Sequence, residues 1–76
     1  MIEHTISADG TEGWLENNQW NQMNGPALIF PDGTEKWMQK NRYHRLDGPA
    51  VINPDGAEIW MQDNKYRRLN APAIIN

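Results

Sequence analysis

The sequence predicts an all-β fold: an antiparallel meander of short β-hairpin repeats forming a twisted or curled sheet. Three observations carry this reading. The chain repeats itself in register, with Asp9-Gly10, Asp32-Gly33 and Asp55-Gly56 opening three units 23 residues apart. Turn-forming residues recur every few positions, and no window sustains apolar residues at helical spacing. Short runs of alternating character lie between the turns, as half-buried strands require. Self-similarity at this period implies stacked copies of one supersecondary unit, each too small to bury its apolar face alone. The 76 residues form a single repeat domain with units at about 9–31, 32–54 and 55–76, and residues 1–8 serve as an N-terminal strand or cap.

Each unit reads in the same order. Asn53-Pro54-Asp55-Gly56, Phe30-Pro31-Asp32-Gly33 and, less fully, Ser7-Ala8-Asp9-Gly10 predict type I turns completed by a glycine in the left-handed region. A strand follows that carries Trp14, Trp37 or Trp60. The next turn is Asn17-Asn18, Lys40-Asn41 or Asp63-Asn64, where asparagine tolerates positive φ and suits a two-residue hairpin. A second strand then carries Trp20, Tyr43 or Tyr66. The units close on Asn24-Gly25-Pro26-Ala27, Asp47-Gly48-Pro49-Ala50 and Asn70-Ala71-Pro72-Ala73, whose prolines belong at a strand start or edge. Strands are expected near 2–6, 11–16, 19–22, 27–30, 34–39, 42–45, 50–53, 57–62, 65–68 and 72–75.

Composition excludes several function classes. With no cysteine, disulfides and thiolate metal sites are ruled out. The longest apolar run, Ala27 to Phe30, is far too short for a membrane span, and residues 1–10 carry no Lys or Arg for a signal peptide, so the chain reads as soluble and cytoplasmic. A net charge of −3 makes nucleic acid an unfavourable partner. The charge is uneven: residues 1–24 hold Glu3, Asp9, Glu12 and Glu16 without a Lys or Arg, whereas the later units are neutral to slightly basic.

The stretch Asn41-Arg42-Tyr43-His44-Arg45-Leu46-Asp47-Gly48-Pro49-Ala50 resembles the variant form of the MORN-type repeats, 23-residue β-hairpin units found in bacterial and phage proteins. The resemblance covers about residues 8–76. Only the middle unit has the histidine, with Asn21 and Arg67 in the equivalent places, and Arg42 stands where the usual turn glycine would be. It implies an elongated, curved antiparallel sheet used for protein contact or oligomerisation. Membrane association, known for some relatives, finds no basic cluster or amphipathic helix here.

Two constellations are candidate sites. Trp14, Trp37 and Trp60 form a file that reads first as the core joining unit to unit, since each indole removes about 200 Å² from water, and only second as a stacking platform. Trp20 is the tryptophan expected nearest a functional surface. The second constellation interleaves basic and aromatic residues: Trp20, Asn21, Arg42, Tyr43, His44, Arg45, Tyr66, Arg67 and Arg68. Such a strip can grip phosphates and stack bases; the simpler reading pairs Arg45 and Arg68 with Glu35 and Glu58 across neighbouring strands. No nucleophile–histidine–acid spacing is present, a metal site from His44 and Asp47 lacks further ligands, and no cofactor is implied.

The function expected is therefore a non-catalytic protein–protein interaction module, of the kind a small phage or bacterial inhibitor or adaptor would use. The alternative is a small-molecule or nucleic-acid binder using the aromatic and basic file. A homodimer is also expected, because Ala73-Ile74-Ile75 would leave an apolar terminal strand, and Ile74 and Ile75 are its edge candidates.

Overall fold

The computed structural model describes residues 2–68 and 72–75. The described residues form twelve antiparallel strands and no helix: β1 (Ile2–Ile6), β2 (Glu12–Glu16), β3 (Gln19–Trp20), β4 (Leu28–Ile29), β5 (Glu35–Lys36), β6 (Met38–Gln39), β7 (Arg42–Tyr43), β8 (Val51–Ile52), β9 (Glu58–Ile59), β10 (Met61–Gln62), β11 (Lys65–Tyr66) and β12 (Ile74–Ile75). The principal sheet runs β1-β2-β4-β5-β8-β9-β12, and it does not close into a barrel. Hairpins β2/β3, β6/β7 and β10/β11 make a second row beside it. No helix is long and apolar enough to cross a membrane among the described residues.

Both turn families have the geometry their residues require. Gly10, Gly33 and Gly56 sit at φ +93°, +96° and +93°. The Gly33 amide donates to the Phe30 carbonyl at 2.9 Å, and the Phe30 amide donates to the Thr34 carbonyl at 2.9 Å. That pattern is a type I turn followed by a glycine bulge. In the second family both central residues have positive φ, 53° and 61° at Asn17-Asn18, 52° and 63° at Lys40-Asn41, and 50° and 65° at Asp63-Asn64. These are type I′ turns, whose twist matches that of the strands they join.

Register organises the side chains into rungs that cross the whole sheet. One rung reads Ile6, Glu12, Ile29, Glu35, Ile52, Glu58, Ile75, so isoleucine and glutamate alternate across seven strands. The next, on the opposite face, reads Thr5, Gly13, Leu28, Lys36, Val51, Ile59, Ile74. Beyond it the tryptophans alternate with small residues: the amides of Trp14, Trp37 and Trp60 donate to the carbonyls of Ala27, Ala50 and Ala73 at 2.9, 2.6 and 2.7 Å. Ala27 thus lies between Trp14 and Trp37, and Ala50 between Trp37 and Trp60. Both alanines are wholly buried.

Each tryptophan is also the hinge between the two rows. Its amide bonds into the principal sheet, while its carbonyl accepts from Asn21, His44 or Arg67 at 3.0 Å in the hairpin row. The strands expected as continuous over 34–39 and 57–62 are interrupted at Trp37 and Trp60, whereas β2 runs unbroken through Trp14, where His4 of β1 pairs with it. In the hairpin row, Trp20 and Asn41 are joined twice, by the Trp20 amide donating to Asn41 Oδ1 at 2.6 Å and the Asn41 amide donating to the Trp20 carbonyl at 3.0 Å. Tyr43 and Asn64 repeat the arrangement at 2.7 and 3.0 Å. The turn asparagine therefore has two duties: it tolerates positive φ, and its side-chain oxygen mimics a strand carbonyl for the preceding unit.

The core is thin. Ala27, Met38, Ala50 and Val51 are the buried apolar residues among those described, and none with a large side chain is fully buried. Trp14, Trp37 and Trp60 are half-buried rather than the mostly buried core expected of them, and a single side chain lies over each indole: His4 over Trp14, Arg45 over Trp37 and Arg68 over Trp60.

Candidate functional site: two equivalent clefts

The loop that closes each unit is built around its tryptophan. In the middle unit the Arg45 guanidinium lies over the Trp37 ring, 3.7 Å from its centroid, and donates from Nη1 to the Pro49 carbonyl at 3.2 Å. A Cβ on Gly48 would fall 2.5 Å from Arg45 Cζ, so in this unit the guanidinium lies close against the loop backbone. Arg68 repeats the placement over Trp60 at 4.2 Å and donates to the Pro72 carbonyl at 3.4 Å. In the first unit Gln22 Nε2 donates to the Pro26 carbonyl at 3.1 Å, and His4 stacks on Trp14 with ring centroids 4.6 Å apart.

This placement corrects the expected ion pairs. Among the described residues neither Arg45 nor Arg68 pairs with Glu35 or Glu58; the arginines face the tryptophan rung, whereas the glutamates sit one full pleat repeat away on the isoleucine rung. The carboxylate beside Arg45 is that of Asp47, 3.5 Å from Nε. That is ion-pair distance without hydrogen-bond geometry, which reconciles the contact with a solvent-shielded Nε that has no hydrogen-bond partner. The indole Nε1 atoms of Trp37 and Trp60 are likewise shielded and donate to no acceptor among the described residues.

Beside each arginine–tryptophan stack a cleft opens. The first, about 390 Å³, is lined by Met23, Trp37, Gln39, His44, Arg45, Leu46 and Asp47. The second, about 450 Å³, is lined by Leu46, Trp60, Gln62, Arg67 and Arg68. These are the same cleft one repeat apart: Trp60, Gln62, Arg67 and Arg68 follow Trp37, Gln39, His44 and Arg45 by 23 residues, as Leu46 follows Met23. Met23 and Leu46 are 73% and 71% exposed, so each cleft has an apolar side chain standing in solvent at its rim. Leu46 lines both and forms the wall between them.

No protein-family model matches this chain, and no curated protein or solved structure matches it either. Function must be argued from the clefts themselves.

Of the residues singled out from the sequence, His44, Arg45, Arg67 and Arg68 line the clefts, and Trp20, Asn21, Arg42, Tyr43 and Tyr66 line neither. Trp20 belongs to the packing: a Cβ on Gly13 would overlap its Cζ3 atom and lie 3.0 Å from Cη2, so the missing side chain at Gly13 makes room for the indole. The equivalent of Gly13 in the next unit is Lys36, whose ammonium lies 5.1 Å from the Phe30 ring centroid and 5.8 Å from that of Tyr43. Asn21 and His44 hold the next unit's turn, Asn21 Oδ1 accepting from the Lys40 amide at 3.0 Å and His44 Nδ1 from the Asp63 amide at 3.2 Å. This role leaves Nδ1 of His44 unprotonated, although Asp63 Oδ1 is also 3.5 Å from it; the matching bond at Asn21 favours the acceptor role. Tyr66 is 64% exposed on β11, Arg42 is exposed on β7, and Ile74 and Ile75 form β12, paired only with β9 among the described residues.

Met23, Leu46, Gln39 and Gln62 were absent from the sequence-derived site. Their signal was a large apolar residue immediately before or near each closing Asn-Gly or Asp-Gly, at Met23 and Leu46, in a loop where nothing apolar is needed for a turn. No group of three or more His, Asp or Glu that could hold a metal occurs among the described residues.

Proposed function

We propose that the chain is a non-catalytic protein-binding module that takes its partner on the cleft face. One observation carries this reading: the same combination of tryptophan floor, arginine and solvent-standing Met23 or Leu46 recurs one repeat apart, with Leu46 shared. A partner that engages one cleft finds the second already positioned, which adds affinity without further ordering cost. Aromatic and arginine side chains around an apolar anchor are also the residues that dominate protein interfaces. The resemblance to hairpin repeats used for protein contact points the same way.

The nucleic-acid alternative draws less support. It needs Trp20, Tyr43 and Tyr66 on one strip with Arg42, Arg45 and Arg68, whereas Arg45 and Arg68 are stacked on Trp37 and Trp60 and Trp20 is packed on Gly13.

Partner capture from an extract of the native host tests the reading. Leu46→Asp should abolish capture without changing the circular dichroism spectrum, because Leu46 is largely solvent-exposed. Ile6→Asp, at the 65% exposed end of β1, should leave capture intact. Loss with Ile6→Asp and retention with Leu46→Asp would place the binding surface elsewhere.

A further inference from the structure

We infer that the occupant of the two clefts is an extended, polyproline-type segment of a partner protein that presents an apolar side chain and a carboxylate three residues apart. The inference rests on the protein-binding reading above and specifies its ligand.

Spacing comes first. Successive units are offset by two strands of an antiparallel sheet, or about 9.6 Å at about 4.8 Å per strand. The hairpin row keeps that offset, because Trp20 is tied to Asn41 and Tyr43 to Asn64, one unit to the next. A polyproline II segment completes a turn in three residues of about 3.1 Å, bringing residues i and i+3 to the same side about 9.3 Å apart. A β-strand does not fit. Its same-side residues are separated by about 6.7 or 13 Å, and its residue i+3 points away. An α-helix returns residue i+7 at about 10.5 Å, but as a rod about 10 Å wide.

Chemistry then distinguishes the two positions. The second cleft has Arg67 and Arg68 and no acidic side chain among the described residues that line it, so it suits an anionic side chain. In the first, the charge of Arg45 is offset by Asp47 at 3.5 Å, and Met23, Trp37 and Leu46 supply apolar surface. That cleft suits a proline or aliphatic residue. Tryptophan-floored grooves are suited to polyproline segments, because the ligand backbone is already extended before it binds.

The probe is a set of fluorescein-labelled, proline-rich nonapeptides with one leucine and one glutamate, measured by anisotropy with the full chain. Peptides with glutamate three residues from leucine, tested in both chain directions, should bind at least about 10-fold more tightly in one direction than peptides with spacings of two or four. Replacing glutamate by lysine should remove the advantage, and Arg67→Glu should transfer it to the lysine peptide. Arg67 is exposed, and its backbone amide donates to the Trp60 carbonyl, a bond the substitution keeps, so the variant should keep its melting temperature. Equal binding at all spacings, indifference to charge reversal, or a helical peptide with a seven-residue spacing binding best would overturn the inference. Leu46-dependent partner capture together with equal binding of all the peptides would leave the module reading standing and remove only this one. Loss of both would remove both.

Discussion

The Arg45 guanidinium is held between two flat surfaces, the Trp37 ring 3.7 Å away and the backbone of Gly48, with its Nη1 anchored to the Pro49 carbonyl. This sandwich joins arginine, glycine, proline and a preceding tryptophan in the middle unit, whereas the third unit has Ala71 at the glycine's position in the sequence. The tryptophan provides the face, glycine the clearance, and proline a carbonyl that faces inward.

Arg45→Ala should destabilise the protein by about 1 to 2 kcal/mol, combining a partly desolvated cation–π contact with a charged hydrogen bond. Arg45→Gln should cost less than about 1 kcal/mol, since Gln22 already makes the bond to the Pro26 carbonyl in the first unit. Urea unfolding followed by tryptophan fluorescence gives both values. Equal losses for the two variants would show that the loop brace contributes little.

Glycine substitutions should separate clearance from conformation. Gly13→Ala places a methyl group into the Trp20 ring and should cost about 2 kcal/mol or more, because the indole has to leave its site. At Gly33 nothing lies within 4 Å of an added Cβ, yet φ is +96°. Gly33→Val should therefore cost about 1 to 2 kcal/mol from backbone strain alone. Thermal melts of both variants check the ranking, and an unchanged Gly13→Ala melt would contradict the packing of Trp20.

How much of this was legible in the sequence depended on whether the cause was local. Asp32-Gly33 and Lys40-Asn41 specify their turns through their own φ preferences, so the turns and the all-β meander could be read directly. The interruption at Trp37 could not, because it depends on which strand pairs alongside: β1 pairs with β2 through Trp14, and no described strand does the same at Trp37. Arg45 was misassigned for a related reason: alternation places it on a face, but the loop from Asp47 to Ala50 folds back and carries it to Trp37 rather than to Glu35. The clefts were half legible. His44, Arg45, Arg67 and Arg68 were marked by charge, whereas Leu46 looked like an ordinary apolar residue until the repeat geometry set it between two cavities.

His44 provides a test in which one unit of the chain serves as control for another. Because Asn21 Oδ1 accepts the Lys40 amide as His44 Nδ1 accepts that of Asp63, His44→Asn should change stability by less than about 0.5 kcal/mol. His44→Leu removes the acceptor and should cost about 1 kcal/mol, with faster hydrogen exchange at the Asp63 amide. Unchanged exchange at Asp63 in the leucine variant would show that this bond does not hold the units together.

Acid should weaken the fold through the turn aspartates. The Ser7 hydroxyl and then the Thr11 amide, which donates at 2.9 Å, hold the Asp9 carboxyl down at about 2, and the Thr34 amide at 2.9 Å lowers Asp32 in the same way. Both groups ionise more readily in the folded chain than in the unfolded one. Their stabilisation is therefore complete above the ordinary carboxylate value near 4, and it is lost as the pH falls from there toward about 2. The melting temperature should stay level in this respect between pH 7 and about pH 5 and then decline. Asp9→Asn and Asp32→Asn should lower it at neutral pH and make the acid decline shallower, since the amide keeps an acceptor oxygen but no titrating charge. Melts at pH 7 and pH 3 for the parent, the two single variants and the double variant measure the difference. An acid decline as steep in the double variant as in the parent would assign the pH dependence to carboxylates outside these turns.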